Sequence, residues 1–305
     1  MGRKEPMNFG IVSQWKKYYQ NHGVKSGNLI VKDILSGVSY ISGVHKRGQS
    51  VFEKEWDLLI ILDACRYDHY CEIVNNCEKH TSNASTSSEW MAKNFGEDYS
   101  SEVSKTAYIT SNPHSSMIEQ NSFEYVDEVW KNGWNKELGT VLPQTVTDRA
   151  ISAARENDFE RLIVHYMQPH FPFIAGDQNV GSMKKVDSGK GAHSGNVWQQ
   201  IAVGNLSVDE ILSPYKQNLE FVMESVEVLL ENFDGNAVIT ADHANALGEY
   251  GVTGHPAYIP IDAIRAVPWD ERTCVDSENH IPKSTELSAE ETNNVESRLA
   301  DLGYM

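Results

Sequence analysis

The 305-residue chain lacks any apolar run near the roughly 18 to 20 residues that a membrane span needs. Met1 to Gln20 is polar and has no apolar core of the kind a secretory signal carries. The expectation is therefore a soluble, cytoplasmic protein. Basic residues are outnumbered, 26 against 43 acidic, for a formal net charge of −17. A nucleic-acid binder normally shows a basic face, so nucleic acid is excluded as the main partner. Cysteine is sparse too. The four are Cys65, Cys71, Cys77 and Cys274, and none forms the CxxC pair of a zinc knuckle or a thioredoxin-like motif. They are expected to be reduced, buried thiols.

What is present is the material of a core. Apolar residues make up 40% of the chain, with 7 Trp and 13 Tyr, which excludes a disordered polypeptide. Residues 1–50 mix apolar and basic side chains, among them Trp15, Lys16, Lys17, Tyr18 and Tyr19. They read as two short helices, a pre-domain packed on the main body. Contact between this basic, aromatic segment and a membrane surface is the weaker alternative.

A main domain over 51–272 opens with Asp57-Leu-Leu-Ile-Ile-Leu-Asp63, a short apolar run bounded by charges. Such a run suits a parallel strand buried on both faces. Arg161 to Tyr166 and Asn236 to Asp242 look the same, and helical patterns lie between them at Val146–Glu156 and Tyr215–Phe233. In the second helix Leu219, Val222, Val226, Leu229 and Leu230 keep a 3.6-residue period. Alternation of this kind predicts an α/β fold with a mostly parallel central sheet flanked by helices on both faces. The stretch 176–204, rich in Gly, Ser, Asn and Lys, reads as a loop insertion of the sort that covers active sites. A polar, acidic tail with a short helix at Ser288–Leu302 fills 273–305.

Each of the three strands ends in residues that bind metals or move protons: Asp63, then His165 and His170, then Asp242 and His243. Ligands bind at the carboxyl ends of parallel strands. Carboxylate oxygen and imidazole nitrogen together suit Zn, Mn or a similar divalent ion. Singly, an Asp after a strand is more often a turn or helix cap, and a lone His is more often structural. Their convergence at three strand ends outweighs those readings.

The local sequence is more specific. Val238-Ile-Thr-Ala-Asp242-His243-Ala-Asn-Ala-Leu-Gly-Glu-Tyr-Gly, followed by Gly254-His255, resembles the Asp-His-Gly-Glu-x-x-Gly-Glu-x-Gly run of sulfatase-like enzymes. His165-Tyr-Met-Gln-Pro-His170-Phe-Pro-Phe resembles their His-x-x-x-Pro-His-x-Pro-Tyr segment, and the order along the chain agrees. From Trp56 to Trp269 the chain thus resembles the alkaline phosphatase/sulfatase superfamily. The resemblance implies an alkaline phosphatase-like fold and a metal-dependent enzyme that hydrolyses or transfers a phosphate ester. Its substrate would be a small-molecule, glycan-linked or lipid-linked phosphate ester. Asp63, Asp242, His243 and a nucleophilic hydroxyl would hold one divalent metal (Zn, Mn or Mg, with Ca as a further option), and His170 and His255 would stabilise the transferring group. Counting back from Gly96 puts Thr86 at the nucleophile position, with Ser85 and Ser87 as neighbouring alternatives. A hydroxyl at a helix N-terminus is favoured for anionic chemistry by the exposed N–H groups. Arg66 would bind the substrate anion or pair with Asp68, and His165 would face the substrate.

The departures matter. No Cys occupies the nucleophile position, so the formylglycine of sulfatases cannot form. Ala64 replaces the second Asp of the Asp-Asp pair, and Ala244 the Gly after Asp-His. The carboxylate that would anchor a second metal has no clear match, so a single metal is expected. The rivals are a sulfuric ester hydrolase that uses Thr directly and a non-catalytic binding module on the same fold.

Overall fold

The computed structural model describes residues 9–74, 77–175 and 197–283. The first apolar run forms β1 (Leu58–Leu62), five consecutive buried residues paired on both sides. It is followed by β2 (Glu78–Thr81), β3 (Thr106–Thr110), β4 (Tyr125–Glu128), β5 (Trp134–Asn135) and β6 (Thr140–Val141). The remaining strands are β7 (Arg161–Tyr166), β8 (Gly235–Thr240), β9 (Ala246–Leu247), β10 (Thr253–Gly254) and β11 (Ala266–Cys274). The helices are α1 (Phe9–His22), α2 (Gly27–Ser42), α3 (Tyr67–Ile73), α4 (Ser87–Asn94) and α5 (Ser100–Val103). After them come α6 (Pro143–Glu156), α7 (Val197–Ala202), α8 (Val208–Leu230) and α9 (Asp262–Arg265).

Seven strands make one sheet in the order β2-β11-β8-β1-β7-β3-β4. β8, β1, β7, β3 and β4 are mutually parallel, while β11 runs antiparallel to both β8 and β2. Strand alternation splits the side chains between two cores. Leu58, Ile60 and Leu62 join Val146 and Ile151 of α6 and Leu219, Val222, Val226 and Leu229 of α8. Leu59 and Ile61 face the other way, with Tyr108, Ile163 and Val238, and pack on Trp90 and Met91 of α4. The sheet is therefore covered on both faces, as the apolar runs of its central strands require.

Several expectations need amending. Cys71 and Cys77 are joined by a disulfide, their Cα atoms 6.1 Å apart, so only Cys65 and Cys274 are free thiols. The end of the supposed loop 176–204 is helix α7, while 176–196 and the expected helix at Ser288–Leu302 lie outside the described residues. α8 starts at Val208, with a capping box from Ser207 and Glu210, and carries Pro214 inside it.

Candidate active site

Register decides which side chains meet. Ile61 of β1 lies beside His165 of β7 and Thr240 of β8, and His165 lies beside Thr110 of β3. Parallel neighbours in register present their side chains to the same face. Two residues beyond Ile61, Thr240 and Thr110 come Asp63, Asp242 and Asn112, which meet His165 at the end of the sheet under the N-terminus of α4. All four are buried.

Asp63, His165 and Asp242 each turn one donor atom into a common space, with those atoms within 4.8 Å of one another. His243 Nε2 lies 3.5 Å from Asp242 Oδ2 and 3.7 Å from Asp63 Oδ1, and His165 Nε2 lies 3.8 Å from Asp242 Oδ2. Ser87, the first residue of α4, sets its Oγ 3.4 Å from Asp63 Oδ2 and 3.4 Å from His243 Nε2. Donors bound tetrahedrally at about 2.0–2.1 Å stand about 3.3 Å apart, so these gaps are close to those around one ion.

The surroundings fix these groups. Asn112 Nδ2 donates to Asp63 Oδ2 at 2.8 Å, and the N–H groups of Ala64 and His243 donate to Asp242 Oδ1. Ala64 reaches that bond from a left-handed conformation, φ 59°, at a cost of about 1–2 kcal/mol for an L-residue. His243 Nδ1 donates to the Ala244 carbonyl, which leaves Nε2 as a lone pair aimed at the carboxylates. His165 Nδ1 sits 2.9 Å from the Tyr108 hydroxyl. A ring nitrogen held from behind is how proteins orient metal-binding imidazoles.

Electrostatics agree with this geometry. Burial above all pushes His165 down to about 4, so it is neutral at pH 7. Asp242 lies below the usual carboxylate range: burial would raise it, but His243 and His165 together pull it lower. Neither His165 Nε2 nor Asp242 Oδ2 has a hydrogen-bond partner among the described residues. A dry, ionised carboxylate is expensive unless a cation joins it. The donor set fits a divalent ion.

A second ring of histidines flanks this cluster. His255 lies tilted against His243 and His170, 4.5 Å and 5.0 Å away, centroid to centroid. Burial pushes His170 and His114 down to about 4 and His255 well below its ordinary value. The turn that carries His255 needs glycine: Gly254 has φ +71°, and a Cβ there would lie 2.7 Å from the Trp198 ring. Beside the histidines lies a cleft of about 270 Å³, lined in part by Lys32, Thr86, Ser88, His114, Trp198 and His255.

Not every expected residue enters the cluster. Thr86 is the N-cap of α4: its Oγ1 accepts from Glu89 N at 3.2 Å and contacts Ser88 Oγ, and it borders the cleft. Ser85 Oγ donates to Glu89 Oε2. Arg66 is held by Asp68, Glu249 and the Asn245 carbonyl. The sequence reading missed Tyr108, inside the short strand β3, and Asn112 and His114, whose one signal was the polar Ser-Asn-Pro-His that follows it.

No protein-family model matches the sequence, and no curated protein sequence matches it either. Solved structures do match. The lipooligosaccharide phosphoethanolamine transferase A (EptA) of Neisseria meningitidis, an integral membrane protein, superposes with TM-score 0.50 at 12% identity, over 88% of this chain. The fold is alkaline phosphatase-like. This chain covers 60% of that EptA chain. A zinc complex of the periplasmic EptC domain from Escherichia coli matches at TM-score 0.47 and 12% identity, over 79% of each chain. The phosphoglycerol transferase GacH of Streptococcus pyogenes, in complex with sn-glycerol-1-phosphate, matches at TM-score 0.40 and 13% identity, over 100% of this chain and 95% of its own.

Proposed function

We propose that the chain is a metal-dependent enzyme that moves the phosphoryl part of a phosphate ester onto Ser87 and then to water or an acceptor alcohol. The observation that carries this reading is the Ser87 hydroxyl, 3.4 Å from both Asp63 and His243, at the N-terminus of a helix and inside a buried donor cluster. Asp63, Asp242, His243 and His165 would hold one divalent cation. When bound, that cation supplies positive charge that acidifies a nearby hydroxyl and draws electrons from phosphoryl oxygens.

The chain's own groups do the rest. Asp63 and His243 orient Ser87 Oγ, and the N–H groups at the start of α4 favour an anion facing it. His170 and His255 are neutral without substrate. An arriving phosphate anion raises the pKa of both, so the substrate recruits protonated donors next to its own leaving oxygen. His170 Nδ1 donates to the Phe171 carbonyl at 2.5 Å and His255 Nδ1 to Asn245 Oδ1 at 2.7 Å, which turns each Nε2 away from those anchors. The remainder of the ester occupies the cleft, where Lys32 supplies positive charge and the buried Trp198 indole N–H, which has no partner among the described residues, an unmet donor.

Trapping the covalent intermediate tests this. Metal-loaded protein is incubated with bis-p-nitrophenyl phosphate, quenched in acid and mapped by mass spectrometry. The expected result is an adduct on the peptide containing Ser87, absent in Ser87→Ala and retained in Thr86→Ala. An adduct that survives Ser87→Ala and disappears with Thr86→Ala assigns the nucleophile to the cap residue instead.

A further inference from the structure

Helix α2 is amphipathic in the reverse sense. Toward the body it turns two serines and one leucine: Ser36 Oγ donates to the Ala257 carbonyl at 2.5 Å, Ser39 is buried, and Leu29 packs on Ala202 and Val203. The positions it turns outward are Val31, Ile34, Leu35, Val38 and Ile41, each 38% to 68% exposed. Their spacing of three and four residues makes a continuous apolar stripe along the helix. Val24 and Tyr19, earlier in the same N-terminal segment, are exposed as well. Isolated apolar residues on a surface need no explanation, but a contiguous stripe marks an interaction site.

Charge identifies what the stripe meets. Residues 1–50 carry eight Lys and Arg against two acids, while the other 255 carry 18 against 41. This apolar stripe thus lies in the basic part of an acidic protein. Lys16 and Lys17 are exposed on α1, and Lys46 and Arg47 are exposed just past the end of α2. Two copies meeting stripe to stripe would bring like charges together. An anionic lipid surface satisfies both features at once.

We propose that α1 and α2 form an interfacial dock that lays the protein on an anionic bilayer, with the α2 stripe among the headgroups and upper acyl chains. The helices lie on the bilayer rather than cross it. They have 14 and 16 residues, and no helix among the described residues is long and apolar enough to span. Leu29 and Lys32 of the same helix line the cleft beside the donor cluster, so docking holds that cleft near the lipid surface.

The test is co-sedimentation of the full chain with vesicles of phosphatidylcholine alone and of phosphatidylcholine mixed with phosphatidylglycerol, at low and high salt. Binding is expected with the mixed vesicles, weaker with the neutral ones and weaker in salt. Val38→Glu with Ile41→Glu should lower it by about tenfold or more, with circular dichroism and thermal midpoint unchanged. If that variant misfolds, Lys16→Glu with Lys17→Glu takes its place. It should abolish the preference for anionic vesicles, and an unaltered preference would overturn the proposal. Failure of the parent to bind either vesicle would also overturn it. So would a dimer in sedimentation velocity that Val38→Glu with Ile41→Glu disperses while vesicles are ignored, a result that gives the stripe to a second copy.

Discussion

Thr86 and Ser87 are adjacent hydroxyls with different surroundings. Successive residues of a helix point about 100° apart, so when Thr86 turns back to cap α4, Ser87 turns in toward Asp63. The motif count names Thr86, and the proposed nucleophile is its neighbour Ser87, one of the alternatives that the count left open. The carboxylates and His243 were legible because they end apolar runs. His165 was read as facing the substrate; its place beside the carboxylates comes from register with Ile61. Away from the site, His80 makes a separate test. It is buried against Trp269, and burial, with the Lys54 ammonium nearby, lowers it to about 4. In the unfolded chain it takes a proton near 6.5. Above that pH both states are neutral and the fold has its full stability; from about 6.5 down to about 4 only the unfolded state gains the proton, so stability falls. Urea unfolding at a series of pH values should show a shallower decline for His80→Phe than for the parent in that window. Equal declines would mean that His80 titrates normally in the fold.

Among the elements, the central strands were the readable ones. β1, β7 and β8 are apolar throughout because they are covered on both faces. β2 and β11 carry Glu, Lys, Asp and Arg and lie at one side of the sheet, so their sequences lack the signal. The start of α8 was read late because Pro214 normally marks a helix boundary, yet here the capping box at Ser207 begins the helix before it. α4 deserves its own prediction because it presents Ser87. Its last residue, Asn94, is wholly buried: it accepts from Ser50 Oγ and Val51 N and donates to Asn83 Oδ1 and the Trp90 carbonyl. Asn94→Ala strands those groups without water, and leaving a buried donor unmet costs about 1–3 kcal/mol. Denaturant unfolding should therefore show a loss of about 2–3 kcal/mol, whereas a loss below about 0.5 kcal/mol would mean that the network does not anchor the helix.

For the molecule as a whole, the Cys71–Cys77 bridge and the expected cytoplasmic location make opposite predictions, because disulfides do not ordinarily persist in a reducing cytoplasm. Thiol titration of the denatured, unreduced protein should count two free thiols, Cys65 and Cys274; four would restore the reduced reading. At the end of the sheet, three strands and one helix bring two carboxylates, two imidazoles and a hydroxyl into one buried space. The most direct measurement is metal content per chain, by elemental analysis after dialysis against Zn, Mn or Mg, for the parent, Asp242→Asn and His165→Ala. About one ion per chain is expected in the parent, as one four-donor site requires, with loss of that ion in both variants and circular dichroism unchanged. A parent that takes up none of the three ions, or variants that retain the ion, would contradict that expectation.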